Sequence, residues 1–275
     1  MSPTEDYLGF YLSYPLKDLF QIFLLGMARI LPVIALSPFF GGKVLSNTMK
    51  VGFTIVLVPI FLPILLANAT ATLSYDLIFM VLLVKETMIG FILGMFVSIP
   101  FYWAGAAGIL IDHQRGAQSL QVMDPAGGMK SSPTGLLYSN ILLVSFFTIG
   151  GPFLFFEALI STYQVVPADR FLNAAFFSSE MPIWNATIKL LNTTITIGTQ
   201  LAAPSLIVIL MSDLFLGIAN RMAPQVQISF LLWSLKAYLG IAILWAAWWF
   251  ILKQMDLQTL SWLKMLQKLA PGMGA

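Results

Sequence analysis

Residues 87–111 contain no Asp, Glu, Lys or Arg, and neither do residues 131–156. As helix, each run is long enough to cross a hydrocarbon layer of ~30 Å. Between them lies IDHQRGAQSLQVMDPAGGMKSSP, residues 111–133, carrying Asp112, His113, Arg115, Asp124 and Lys130 with glycines at 116, 127 and 128 and prolines at 125 and 133. So broken a backbone cannot satisfy its own N–H and C=O groups in lipid. Irregular backbone at membrane depth survives only inside protein or beside water. The segment is therefore an aqueous loop or a polar element lodged in an assembly.

Composition sets the class. The chain is 59% hydrophobic and 9% charged, whereas soluble domains are roughly a quarter charged. The expectation is an integral membrane or membrane-complex protein in contact with lipid. A net charge of +2 with no basic cluster excludes nucleic acid as a partner. Cysteine is absent and His113 is the one histidine, which excludes disulfides, thiolate metal sites and multi-histidine metal sites. No HExxH, Gly-x-Ser-x-Gly or Walker loop occurs, so neither an enzyme nor a cofactor is expected. Glu5 and Asp6 precede the first lysine, the wrong start for a cleaved signal peptide.

Hydropathy divides the chain into six apolar blocks, about 19–40, 51–73, 77–111, 136–166, 188–212 and 228–252. The expected fold is an all-α membrane protein of about six long, broken, tilted apolar helices. Pro59 and Pro63 are expected to interrupt the second block, and Pro100 to kink or break the third. Glu157 follows Gly150-Gly151-Pro152 in the fourth. Arg29, Lys85, Glu86 and Glu157 sit inside blocks, where charges face a protein interior or a water path. Gly90, Gly94 and Ser98, then Gly105 and Gly108, form a small-residue stripe for close helix packing, within the chain or against another subunit. DLQTLSWLKMLQKLA repeats leucine every three residues and reads as an amphipathic helix, at an interface or in a partner's groove. The lysine and arginine bias puts Lys43, Lys50, Arg115, Lys130 and Arg221 on one side. Six straight crossings would leave Lys253, Lys264 and Lys268 on the other. Either one block does not cross, or the chain is not an ordinary bundle.

Several polar groups are candidates for a role. Asp112 and Arg115 share one helix face and either pin the base of the polar segment or form an exposed pair of little weight. Asp124-Pro125-Ala126-Gly127-Gly128 is turn chemistry, flanked by Met123 and Met129, which can seal irregular gaps. Asp213 and Arg221 are too far apart on one helix to bond directly, and Lys236 lies in the last block. A six-span secondary transporter would use Glu86, Glu157 and Asp213 as ligands.

Three groups of residues resemble one family. They are Arg29, Leu31-Pro32, Ser37-Pro38-Phe39-Phe40-Gly41 and Lys50-Val51-Gly52; Ile111-Asp112, Arg115-Gly116, Asp124-Pro125, Gly128 and Ser131-Ser132-Pro133; and Asp213-Leu214-Phe215-Leu216-Gly217, Asn220-Arg221, Ala223-Pro224-Gln225 and Lys236. Together they resemble the T subunit of the type III secretion export apparatus (SctT/FliR family), the injectisome branch more than the flagellar one. Val226-Gln227-Ile228-Ser229 and Trp233-Ser234-Leu235 depart from the family's usual residues.

The resemblance implies a structural subunit of an export gate in the bacterial inner membrane, multi-pass, within the secretion basal body of a virulence-type system. Its partners would be the R and S subunits, with the large export-gate subunit and the switch subunit nearby and secreted proteins in transit. Residues 1–187 would be R-subunit-like and include the loop 112–133. Residues 188–255 would be an S-like helical hairpin, and residues 256–275 an amphipathic helix and tail. Gln121, Val122, Met123, Asp124, Pro125, Ala126, Gly127, Gly128, Met129 and Lys130 would plug the closed pore. Arg29, Asp112, Arg115, Asp213, Arg221, Pro224, Gln225 and Lys236 would serve as structural or partner contacts.

Overall fold

The long apolar runs fold as helices because helix alone satisfies every backbone group within the run. In the computed structural model, which describes residues 14–40, 45–69, 75–117, 122–123, 130–171, 182–223 and 228–272, they are α1 (Leu16–Leu36), α2 (Asn47–Asn68), α3 (Leu77–Gln114), α4 (Pro133–Thr148), α5 (Gly151–Val165), α6 (Pro182–Met222), α7 (Ile228–Ala246) and α8 (Trp248–Gly272). A 3-10 turn, Pro38–Phe40, follows α1. Among the described residues the strands are a short antiparallel pair, β1 (Val122–Met123) and β2 (Lys130–Ser131), in which Val122 faces Ser131 and Met123 faces Lys130.

The all-α expectation holds. Among the described residues, four helices are long and apolar enough to span a membrane, or up to six spans if the bent pairs α4–α5 and α7–α8 each count as one. Two expectations are corrected. Pro59 and Pro63 lie inside an unbroken α2, and Pro100 inside an unbroken α3 of 38 residues. A proline removes one backbone donor, and the flanking helical bonds outlast that loss. The break between α4 and α5 falls instead where a glycine permits it. Gly150 has φ +73, a left-handed conformation that costs a residue without Cβ little.

The last block also ends differently. The 255/256 boundary lies inside α8, and the chain instead bends by 61° at Ala247, between two stretches rich in tryptophan. The face of α8 bearing Ile251, Met255, Trp262 and Leu263 is buried within the chain. Lys253 and Lys264 therefore belong to a helix that leaves the line of α7, not to a tail beyond a straight sixth crossing. Of the two earlier lysines, Lys43 lies outside the described residues. Lys50 is buried, and its ammonium donates to Ala35 O in the last turn of α1 at 3.3 Å, where the helix dipole favours a cation.

The chain folds as two discontinuous units. One contains Met1–Ser98, Pro152–Thr187 and Leu263–Ala275; the other contains Ile99–Gly151 and Ile188–Trp262. In the first, α1, α2, the amino-terminal part of α3 and α5 surround Leu25, Ile30, Val33, Val58 and Leu82, all buried. Ser37-Pro38-Phe39-Phe40 works as an aromatic wedge. Phe39 meets Phe155 edge-on at 5.2 Å, Phe40 meets Phe156 at 5.8 Å, and Phe61 meets Phe156 at 5.7 Å. In the second unit, Tyr138, Leu142 and Phe146, one turn apart on α4, are fully buried, as are Ala104, Ala107 and Ile111 of α3.

The glycine stripe on α3 works within the chain in both units. A Cβ on Gly90 would lie 2.1 Å from Arg29 O, and one on Gly108 would lie 2.3 Å from Gly135 N. Backbones therefore touch at both places, and no side chain fits between them. Gly108→Val is expected to part α3 from α4 and to cost at least about 1–3 kcal/mol, the usual penalty for overpacking. Gly52→Ala, whose Cβ meets nothing within 4 Å, is expected to be neutral or stabilising by up to ~1 kcal/mol. Thermal unfolding of the detergent-solubilised variants measures both.

Candidate functional site

Each backbone contact on α3 has a carboxylate one turn away. Glu86 stands a turn before Gly90, and Asp112 a turn after Gly108. Close approach of the backbones brings each acid within reach of the neighbouring helix.

In the second unit, Asp112 fastens the polar segment. Its two oxygens accept from Thr134 N at 2.8 Å and Thr134 Oγ1 at 2.6 Å. Ser132 caps α4 by accepting from Gly135 N at 3.1 Å, and Pro133 has no N–H to satisfy. Ser131-Ser132-Pro133 is therefore a helix start, completed by an acid from another helix whose charge suits the amino-terminal dipole. Arg115 Nε lies 2.6 Å from Asp112 Oδ1, an ionic contact off the line of a hydrogen bond, and Arg115 Nη2 donates to Thr134 Oγ1 at 3.3 Å. A Cβ on Gly240 of α7 would stand 3.2 Å from Arg115 Cδ, so α7 backs the arginine stem. Gly116, with φ +80, then turns the chain away.

Both ends of residues 113–133 are thus held by one buried acid, and β1 pairs with β2 beyond the clamp. Among the ten residues Gln121 to Lys130, Val122, Met123 and Lys130 have a described backbone; Gln121, Asp124, Pro125, Ala126, Gly127, Gly128 and Met129 lie outside the described residues. Pro224 and Gln225 lie outside them too. His113 is exposed at the end of α3.

Asp213 of α6 and Lys236 of α7 come together, with Lys236 Nζ 2.5 Å from Asp213 Oδ1. Arg221 is exposed near the end of α6. In the same unit, Ser145 of α4 donates to Asp256 of α8, a polar tie between those two helices.

In the first unit, Arg29 is fully buried and binds Glu86 with two bonds, Nε to Oε2 at 2.6 Å and Nη2 to Oε1 at 2.8 Å. It also donates to Thr162 Oγ1 at 3.1 Å and Val166 O at 2.8 Å, and its guanidinium lies 3.9 Å from the Tyr163 ring centre. Lys85 touches Glu86 at 2.7 Å and donates to the carbonyls of Pro167, Ala168 and Arg170 at 3.0, 3.2 and 2.7 Å. Arg29 thereby binds the carboxy-terminal end of α5, the favourable end for positive charge, Lys85 binds the turn that follows it, and Glu86 sits between them. Arg29, Lys85 and Glu86 were legible as interior charges. Thr134, Thr162, Tyr163 and Gly240 carried no signal in the sequence, because their partners lie far along the chain. Glu157 is exposed on α5.

Comparison with known proteins names the family. The family model described as "Bacterial export proteins, family 1" matches residues 20–261. The chain belongs to this family of bacterial export proteins. It is 30% identical over 220 residues to the Surface presentation of antigens protein SpaR of Salmonella typhimurium, covering 80% of this chain and 79% of that protein. It is 29% identical over 217 residues to the Yop proteins translocation protein T of Yersinia pestis, covering 78% of each. The Flagellar biosynthetic protein FliR of Bacillus subtilis is 27% identical over 212 residues, covering 77% of this chain and 80% of that protein. This export family thus includes proteins of type III secretion and of flagellar export, and the resemblance to the SctT/FliR family stands.

Proposed function

We propose that the chain is a channel-forming structural subunit of a type III secretion export gate in the bacterial inner membrane. Residues 121–130 obstruct the conduit at rest, and unfolded proteins pass when they yield. The observation that carries this reading is the clamp at Asp112, Arg115 and Thr134. It fastens both ends of a polar insert between two long uncharged runs, as a plug anchored on a rigid frame requires. The R and S subunits cover the exposed apolar faces, and the large export-gate subunit and the switch subunit dock nearby. No chemistry is asked of the chain.

A secondary transporter would need free intramembrane carboxylates. Glu86 is held by Arg29 and Lys85, and Asp213 by Lys236. The test is the mass of the gently solubilised complex. A hetero-oligomer with this chain as a minor component supports the gate; a monomer or homodimer stabilised by a small solute supports a transporter.

Arg221 gives a second prediction. It is exposed on an apolar helix end beside Ile218 and Met222, a position that suits a carboxylate on a covering subunit. Arg221→Ala is expected to reduce recovery of the complex several-fold, because burying a charge pair and then removing one partner costs about 3–5 kcal/mol. The same variant should leave the melting of the isolated chain unchanged. Normal complex yield would contradict the contact.

A further inference from the structure

Tyr138 of α4 is fully buried, and its hydroxyl has no hydrogen-bond partner among the described residues. Phe146, two turns on along the same face, is buried with no hydroxyl to satisfy. A phenylalanine at 138 would fill the same core and leave no polar atom unbonded. A hydroxyl kept there at such a cost points to a partner in another state of the chain.

The neighbouring acid is Asp112. Tyr138 lies one turn beyond Thr134, about 6 Å along α4. Helical side chains lean toward the amino terminus, so the tyrosine ring reaches back over the turn that Asp112 holds. The Asp112 charge acts on its hydroxyl. At rest, Asp112 Oδ1 is engaged by Thr134 Oγ1 at 2.6 Å and by Arg115 Nε at 2.6 Å, and a carboxylate oxygen has about two acceptor positions. Those two neighbours hold differently. Thr134 gives Asp112 two short hydrogen bonds from the first turn of α4. Arg115 touches Oδ1 off the hydrogen-bond line and reaches Thr134 at 3.3 Å. It stands beside Gly116, whose φ of +80 turns the chain into the insert.

We infer that the Tyr138 hydroxyl takes the place of Arg115 on Asp112 when the insert yields. The inference rests on the gate reading above. Displacement of the insert draws Arg115 with it. Asp112, 1% exposed, would then hold a buried charge short of one donor. The tyrosine proton turns to the acceptor position that Arg115 leaves. Thr134 keeps α3 on α4 in both states, and Oδ1 keeps two neighbours. The unbonded hydroxyl disfavours the resting state and its bond to a carboxylate favours the yielding one, so the exchange narrows the gap between them.

Tyr138→Phe removes the proton and little else. Thermal unfolding of the full chain in detergent should not fall with this substitution, because no bond is lost at rest. In an Arg115→Met chain, where the hydroxyl has already taken over, the same substitution should lower the unfolding temperature. Export of a reporter protein by the assembled apparatus should drop about tenfold with Tyr138→Phe alone, the effect of one charge-assisted hydrogen bond lost from one of two states. The leak of small solutes through a chain lacking residues 122–130 should be unchanged by it. A lower unfolding temperature for Tyr138→Phe alone means that the hydroxyl is bonded at rest, and it overturns the exchange. So does export at the parent rate, or an Arg115→Met chain that melts the same with and without Tyr138→Phe. If Arg115→Met does not accumulate, the export rate decides. In each of those cases a leaking deletion leaves the gate standing. A deletion that does not leak overturns the gate and with it the role of the exchange in opening.

Discussion

Arg29→Ala is expected to abolish accumulation of the folded chain. The alanine leaves Glu86 fully buried with Lys85 as its remaining cation, and it strips the donor from Thr162 Oγ1 and Val166 O. Removing one partner of a buried pair costs about 3–5 kcal/mol, a large share of the roughly 5–15 kcal/mol that separates folded from unfolded protein. The readout is protein yield together with thermal unfolding in detergent. Replacing both partners, Arg29→Met with Glu86→Leu, should recover much of the loss, since a buried ion pair exchanged for apolar groups of similar volume is often neutral. Lys85 keeps its three carbonyl partners in that variant. An Arg29→Ala protein that melts with the parent would show that this cluster is not what holds α1, α3 and α5 together.

The helices were legible in the sequence because their apolar runs are longer than any soluble core needs, and charge placement within them was legible for the same reason. Arg29, Lys85 and Glu86 stood out as interior charges. Their mutual pairing did not, because the bond from Arg29 to Glu86 closes over 57 residues and that to Thr162 over 133. Proline misled the reading of α2 and α3, since its local cost is small beside the bonds of a long helix. The bend at Ala247 has no glycine or proline to announce it. At the polar segment, Asp112 and Arg115 were visible as a same-face pair, and Ser131-Ser132-Pro133 as a matched motif. That one acid caps the next helix through Thr134 depends on the contact of Gly108 with Gly135, which spacing along one strand of text does not reveal.

The second large effect concerns the insert itself. Val122 lies opposite Ser131, and paired residues on antiparallel strands stand about 5 Å apart. Deleting residues 122–130 therefore joins ends that are already neighbours, and it leaves Asp112, Arg115, Thr134 and the Ser132 cap in place. The fold and the assembly should survive while the obstruction is lost.

Membrane permeability to small solutes, measured in cells that assemble the apparatus with this deletion, tests the central claim most directly. The account predicts full recovery of the complex and a leak absent from cells carrying the intact chain. A fully assembled apparatus whose membrane stays as tight as before would contradict it.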